Sequence, residues 1–315
     1  METKTKKKLH ILLWCELGLL VVLVAVALLA LLLRPTRELS GGSSTPGGQT
    51  SLEVTDASTG QTEESTGDNI DPTEEITGPT RPANPYGPED FGYIGDYLAC
   101  ISDKSILGID VSTFQKGIDW QQVKAAGVEF VIIRLGHRGT NIGVLYEDDD
   151  AQAHYQGAIA AGLKVGGYFY SQAITPAEAK EEAELCLQIV EGWQVEMPIV
   201  FDWEHIDADC RTINMDPRTF TDCAKAFCQT IENAGYKSMI YFNQRQAMTE
   251  PMEGWSVNDR YYLEELTDYG FWLAMYADMT FPTRIDMWQY TNTGRVPGIN
   301  GNVDINLYLP NARNP

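Results

Sequence analysis

The sequence predicts an α/β fold: a modified (β/α) TIM-like barrel, irregular in its C-terminal part, preceded by a transmembrane helix and a disordered linker. Three observations predict it. An uncharged apolar run lies near the N-terminus, a Gly/Ser/Thr/Pro-rich acidic stretch follows it, and from about residue 100 short apolar runs alternate with helical stretches. The implied boundaries are 1–10 for a basic cytoplasmic tail, 11–33 for the anchor, 35–99 for the linker and 100–315 for the barrel.

The anchor rests on length. Leu17–Leu33 carries no charge, and extension back to Ile11 admits only Glu16, which makes about 35 Å of helix, enough for a bilayer. Lys4, Lys6, Lys7 and Lys8 precede the run, and the positive-inside bias then places the N-terminus in the cytoplasm and the rest outside the cell membrane. A cleaved signal peptide is the rival reading. Its apolar region is normally shorter and ends on small residues, whereas this run ends Leu31-Leu32-Leu33-Arg34-Pro35.

Between Pro35 and Ala99, 33 of 65 positions are Gly, Ser, Thr or Pro, with acidic residues between them. Such a composition buries too little apolar surface to offset the entropy of ordering, so it reads as a tether spanning roughly 40–50 Å.

Eight strands are expected beyond it: Ile106–Val111, Phe130–Arg134, Val165–Tyr170, Ile199–Trp203, Ser238–Asn243, Phe271–Met275, Ile285–Gln289 and Val303–Leu307. Helices fit between the early ones, at Trp120–Ala126, Asp150–Ala161, Pro176–Val190 and Pro217–Ala234. Thr175-Pro176-Ala177-Glu178 and Asp216-Pro217 carry the cap-plus-proline signature of a helix start. Alternation implies parallel strands with right-handed crossovers, and the fading helical signal after Asn243 implies irregularity there. An open doubly wound sheet is the alternative, but no G-x-G-x-x-G or phosphate loop follows any strand.

In a parallel barrel, chemistry sits where strands end. Here the ends are acidic: Asp110 in the first strand, Asp202 and Glu204 at the fourth, Asp304 in the last. Residues two apart on a strand face one way, so Asp202 and Glu204 project together with Cα atoms about 6–7 Å apart. Crowded carboxyls cannot all ionise cheaply, so one of them is expected to keep a proton near neutral pH. Glycosidic cleavage needs that pairing of a proton donor with a second carboxylate that stabilises or attacks the sugar carbon. Capping of turns is the competing role for any one aspartate.

Tyr168, Tyr170, Tyr241, Trp272, Tyr276 and Trp288 fall near the same rim, where flat rings suit sugar faces and core packing competes for part of them. His137, His154 and His205 are scattered and form no nucleophile motif, and a metal site from Asp202, His205 and Asp207 has too few ligands to stand on.

Charge and cysteines narrow the class. Lys and Arg number 23 against 44 Asp and Glu, for a net −21, which argues against nucleic acid as a partner. Five of the six cysteines lie outside the anchor, too odd a number for complete internal pairing; a Cys210–Cys223 disulfide is open but unsupported.

The strings Gly108-Ile109-Asp110-Val111-Ser112-Thr113-Phe114-Gln115-Lys116-Gly117-Ile118-Asp119-Trp120, Phe201-Asp202-Trp203-Glu204, Trp288-Gln289-Tyr290 and Val303-Asp304-Ile305-Asn306 occur in order. Together with Phe130-Val131-Ile132-Ile133-Arg134 they resemble glycoside hydrolase family 25, the lysozymes also called N-acetylmuramidases. The resemblance implies hydrolysis of the β-1,4 bond between N-acetylmuramic acid and N-acetylglucosamine in peptidoglycan glycan strands, with no metal or organic cofactor. It makes Glu204 the general acid and then base, and Asp202 the group that stabilises the cationic centre. Asp110 and Asp304 complete the cluster. Gln289 and Arg134, within the matched strings, join the six aromatics as substrate-binding residues. Retention through the substrate's own acetamido group is the favoured mechanism, with a covalent aspartyl intermediate as the other. His154 and Ala151 depart from the family pattern, at positions expected behind the mouth. A silent peptidoglycan-binding module, or a hydrolase of another acetamido-sugar polymer such as chitin, are the competing readings.

Overall fold

The computed structural model describes residues 81–204, 210–213, 215–244, 246–247 and 261–312, all within the second of the two units into which the chain divides, Asp71–Pro315. The expected anchor and residues 35–80 of the expected linker lie outside the described residues. Among the described residues no helix is long and apolar enough to cross a membrane.

Eight strands close into a barrel. In chain order they are β3 (Ile106–Val111), β4 (Phe130–Arg138), β6 (Lys164–Ser171), β7 (Val195–Trp203), β8 (Ser238–Asn243), β9 (Gly270–Ala274), β10 (Met287–Gly294) and β11 (Val303–Tyr308). Seven run parallel. β11 pairs antiparallel with both β10 and β3 and so closes the ring in the reverse direction. A short strand β5 (Leu145–Glu147) adds antiparallel to the upper half of β4, and a separate hairpin is made by β1 (Phe91–Ile94) and β2 (Tyr97–Cys100).

The irregularity expected of the C-terminal part takes the form of a reversed last strand, for a reason of chain length. Only Arg295–Asn302 separate β10 from β11, too few for the dozen or more residues of a crossover, so the chain must turn straight back. The reversal puts the start of β11 at the mouth where the other strands end. Asp304, second in its strand, consequently stands opposite Asp110, fifth in β3.

Four helices cover one side: α1 (Trp120–Ala125), α2 (Ala151–Ala160), α3 (Pro176–Ile189) and α4 (Pro217–Asn233). Their starts follow the local chemistry. Asp119 accepts from the amides of Gln121 and Gln122, Thr175 from that of Glu178, and Asp216 from those of Arg218 and Thr219, with Pro176 and Pro217 in the first turn. α1 and α2 bury Trp120, Val123, Ala151 and Ala158 against Ile109, Val131, Ile133 and Val165 of the outer sheet face. α3 and α4 bury Ala183, Cys186, Phe220, Phe227 and Ile231 against Leu135, Phe169, Phe201 and Phe242. The barrel interior is a third cluster, Phe130, Ile132, Val200, Met239, Trp272 and Met287. At Gly108 a Cβ would stand 2.2 Å from the Phe130 ring, so only glycine lets that ring fill the lumen.

Val303 and Ile305 of β11 join the α1–α2 cluster, whereas over β10 and the loop before it the N-terminal segment takes the place of a helix. Ala83 bridges to Thr283, Asn84 N donates to Pro282 O at 2.8 Å, and Phe91 packs edge-on against Trp288 with centroids 4.9 Å apart. Residues 81–99, assigned to the linker by composition, therefore belong to the folded unit. Their Pro and Gly mask a few apolar anchors, Tyr86, Phe91 and Leu98, that find a ready-made surface. All five cysteines of the described residues are free thiols, Cys210 and Cys223 included.

Candidate active site

Side chains that point inward from the barrel alternate with those that point out, and the inward set changes from apolar to polar toward the mouth. On β3 it runs Ile106, Gly108, Asp110; on β4 Phe130, Ile132, Arg134; on β7 Val200, Asp202, then Glu204 just beyond the strand. The mouth opens into two adjoining cavities. One of about 550 Å3 is lined by Phe114, Gln115, Arg134, His137 and Tyr170; one of about 350 Å3 by Tyr241, Trp272, Tyr276, Gln289 and Asn292. Asp110, Tyr168, Asp202, Glu204 and Asp304 line both. The four acids, far apart in the chain, gather in one place.

Asp110 is held by a polar framework. Its Oδ2 accepts from Gln289 Nε2 at 3.0 Å and from Asn306 Nδ2 at 2.8 Å. Both amides are oriented from behind. Tyr241 and Tyr276 hydroxyls donate to Gln289 Oε1 at 3.2 and 2.8 Å, and Trp272 Nε1 donates to Asn306 Oδ1 at 2.9 Å. With each amide oxygen occupied, its NH2 must face Asp110. Tyr241 and Trp272 are buried and hold this framework as well as lining the cavity, whereas Tyr276 is 53% exposed.

Electrostatics keep protons in the cluster. Burial, then the Asp304 charge, pushes Asp110 well above the usual carboxylate range, and Asp110 shares a hydrogen bond with Asp304, itself raised by burial. Burial and the neighbouring Glu204 do the same to Asp202, against a pull downward from Arg134. Glu204, the less buried of that pair, is lifted to about 6 by burial and by Asp304. Among the described residues Asp202 Oδ1 is buried without a hydrogen-bond partner. Arg134 Nε donates to Asp148 Oδ2 at 2.7 Å, and its guanidinium lies over the exposed Phe114 ring at 5.2 Å.

Seven of the eight expected binding residues line the cavities, and Trp288 does not. Trp288 adjoins Gln289 on β10, so it points to the opposite face. There it is 3% exposed, packs against Phe91 and donates to Met275 O at 2.7 Å. His137, by contrast, lines the cavity although nothing in its spacing marked it. A β-bulge between Arg134 and Gly136 shifts the register so that His137 pairs with Tyr170, which re-aims its ring. Asn306 was legible only as part of a string, Phe114 and Gln115 likewise. His154 sits behind the mouth, with Nε2 3.1 Å from Ser112 O and its ring edge-on to Trp120. His205 and Asp207 lie outside the described residues.

This acid-lined mouth coincides with a family match. Residues 109–299 fit the model of glycosyl hydrolases family 25. The chain belongs to that glycosidase family. It is 26% identical over 216 residues to Lysozyme M1 of Streptomyces globisporus, covering 66% of this chain and 69% of that protein. It is 26% identical over 209 residues to the autolytic lysozyme of Clostridium acetobutylicum, 64% and 55% covered. Among solved structures, the bacterial lysozyme of Streptomyces coelicolor superposes with a TM-score of 0.50 at 25% identity, over 65% of this chain and 92% of that one. The modular autolysin of Streptococcus pneumoniae shares the fold, TM-score 0.54 at 22% identity, and the family 25 chain spans about half of it, 47%.

Proposed function

We propose that this family 25 chain hydrolyses the β-1,4 bond between N-acetylmuramic acid and N-acetylglucosamine of peptidoglycan, with retention through the substrate's acetamido group. The observation that carries the reading is the unpaired, buried Oδ1 of Asp202 beside a protonatable Glu204 in the acid-lined mouth. An orphaned buried carboxylate oxygen needs a donor, and an acetamido N–H supplies one. The Asp202–Glu204 pair retains a proton near neutral pH. Glu204 delivers it to the leaving glycosidic oxygen as the acetamido oxygen attacks the sugar carbon, and Asp202, whose carboxylate form is favoured by Arg134 and by the arriving substrate amide N–H, holds that N–H. Glu204, now a carboxylate, takes a proton from the water that opens the ring intermediate. The relatives named as lysozymes support the substrate.

The test is mass spectrometry of fragments released from purified peptidoglycan. Muramic acid at the new reducing ends is expected, and Glu204→Gln lowers kcat by about 10²–10⁴. Glucosamine ends, or no release, overturn the reading. Removal of the N-acetyl group from muramic acid abolishes turnover under the acetamido mechanism and spares it under a covalent aspartyl one.

The apolar run Ile11–Leu33 supports a single-pass anchor with the N-terminus inside and the barrel outside the cell membrane. Barrel cleavage by protease added to intact wall-stripped cells is the expected result; protection sinks this placement.

A further inference from the structure

Outside the catalytic mouth a second cavity, of about 600 Å3, lies between the β1–β2 hairpin and the end of β10. It is lined by Tyr93, Asp96, Tyr97, Tyr290, Thr291 and Arg295, among others. We propose that it is an accessory site for acetamido-sugar units of a glycan strand, distinct from the site where the strand is cut. The inference rests on peptidoglycan being the substrate.

Position comes first. β10 and β11 form the wall between the two cavities: Gln289, Asn292 and Asp304 line the catalytic mouth, while Thr291, Gly294 and Ile305 line the outer groove. A polymer that leaves the mouth over this wall meets the groove next. The hairpin that forms the far side lies before residue 109, where the family match begins, so one side of the groove is built from a segment outside it and the other, from Tyr290 to Pro297, from within it.

The lining suits a sugar. Tyr93 is 71% exposed at the hairpin tip, and Tyr97 and Tyr290 are half-buried, so the groove offers aromatic rings with polar groups around them. Flat rings receive the apolar faces of pyranose units, and Asp96, Thr291 and Arg295 offer both acceptors and donors to hydroxyl and acetamido groups. A tyrosine left in water on a two-stranded hairpin contributes nothing to the barrel core. The hairpin is nonetheless held in shape. Gly95 supplies the positive φ of +65° that its tight turn requires, and the Tyr97 hydroxyl donates to Arg295 O at 3.4 Å, tying the hairpin to the loop after β10. The chain's net charge of −21 gives no long-range attraction to an anionic wall, so retention on the polymer has to come from added short-range contacts such as these.

The experiment compares the full-length chain with Tyr93→Ala, Tyr93→Trp and Arg295→Ala on insoluble sacculi and on a short soluble muro-oligosaccharide. Tyr93→Ala is expected to weaken sacculus binding about tenfold, through lost second-site attachment, with the rate on the short fragment changed less than about twofold and Tm unchanged. Tyr93→Trp restores binding because it restores a ring, and Arg295→Ala gives a smaller loss. Sacculi stripped of peptide stems bind as well as intact ones. Unchanged sacculus binding in Tyr93→Ala overturns the proposal, as does dependence on the peptide stems, or a parallel loss on both substrates. Failure of wild type to release reducing ends is a separate outcome and strikes the muramidase reading.

Discussion

Asp110 and Asp304 face one another across the β3–β11 pair and share a hydrogen bond, although 193 positions separate them in the chain. The contact exists because β11 runs against its neighbours. Its charge reaches further, since Asp304 also helps to lift Glu204 to about 6. Asp304→Asn removes that charge and lowers the range in which Glu204 can act as an acid. The alkaline limb of the kcat/KM profile is expected to move to more acid pH, with a loss of roughly tenfold at pH 7, the equivalent of about 1.4 kcal/mol, and a smaller one at pH 5. A profile that keeps its shape removes Asp304 from this role.

The raised Glu204 also has a cost in stability. Between the ordinary glutamate value and about 6 the folded chain holds this proton more tightly than the unfolded chain. That stabilisation is present at low pH and is lost as pH rises through about 6. Glu204→Gln carries no such penalty, so above pH 7 it is expected to exceed wild type by about 1–2 kcal/mol, the gap closing near pH 4. Urea midpoints at the two pH values measure it, and equal gaps at both refute it.

Gln289 joins three groups at once, accepting from Tyr241 and Tyr276 and donating to Asp110. Gln289→Leu keeps the volume and removes the exchange, leaving buried polar atoms without partners. A stability loss of about 1–3 kcal/mol follows. Asp110 is also pushed further toward its neutral form, and kcat falls while KM changes little. Denaturation and initial rates on one substrate separate the two effects; a change in KM alone contradicts a framework role.

Trp288 and Tyr276 give opposite signatures. Trp288 is 3% exposed in the outer core and Tyr276 53% exposed over the mouth. Trp288→Ala is expected to cost about 3–5 kcal/mol with KM unchanged in the folded fraction, whereas Tyr276→Ala raises KM severalfold and barely moves Tm. The reverse pattern would mean that the face assignment along β10 is wrong.

What the sequence makes legible is what depends on period and local chemistry. Asp202 and Glu204, two apart, share a face as the strand period requires, and so do Tyr168 and Tyr170, while Thr175 and Asp216 announce their helices. Period also argues against Trp288, which lies near the rim but adjoins Gln289 and so cannot share its face. The rest depends on events with no local signature. The bulge after Arg134 turns His137 inward, the short β10–β11 connection reverses the last strand, and a Pro- and Gly-rich segment becomes ordered only because an uncovered side of the barrel accepts Tyr86 and Phe91.

Behind the mouth, Arg138 and Glu182 form a buried pair, 4% and 0% exposed at the side chain, with Nε donating to Oε1 at 2.7 Å and Ser171 Oγ donating to Oε2 at 2.6 Å. Burial nevertheless lifts Glu182 to about 7, so desolvation outweighs the partner. Arg138→Met leaves the carboxyl without its counter-charge. Below about pH 5 the group is neutral and the variant loses the guanidinium contacts to Gly143 O, to Glu178 O and to the exposed Glu181 carboxylate. As pH rises the unpaired carboxylate must either ionise in the core or hold its proton against solvent, and the deficit grows toward about 3–5 kcal/mol at pH 8. Denaturation of both chains across pH 5–8 is the measurement. A deficit independent of pH would show that Arg138 acts through packing and not through Glu182.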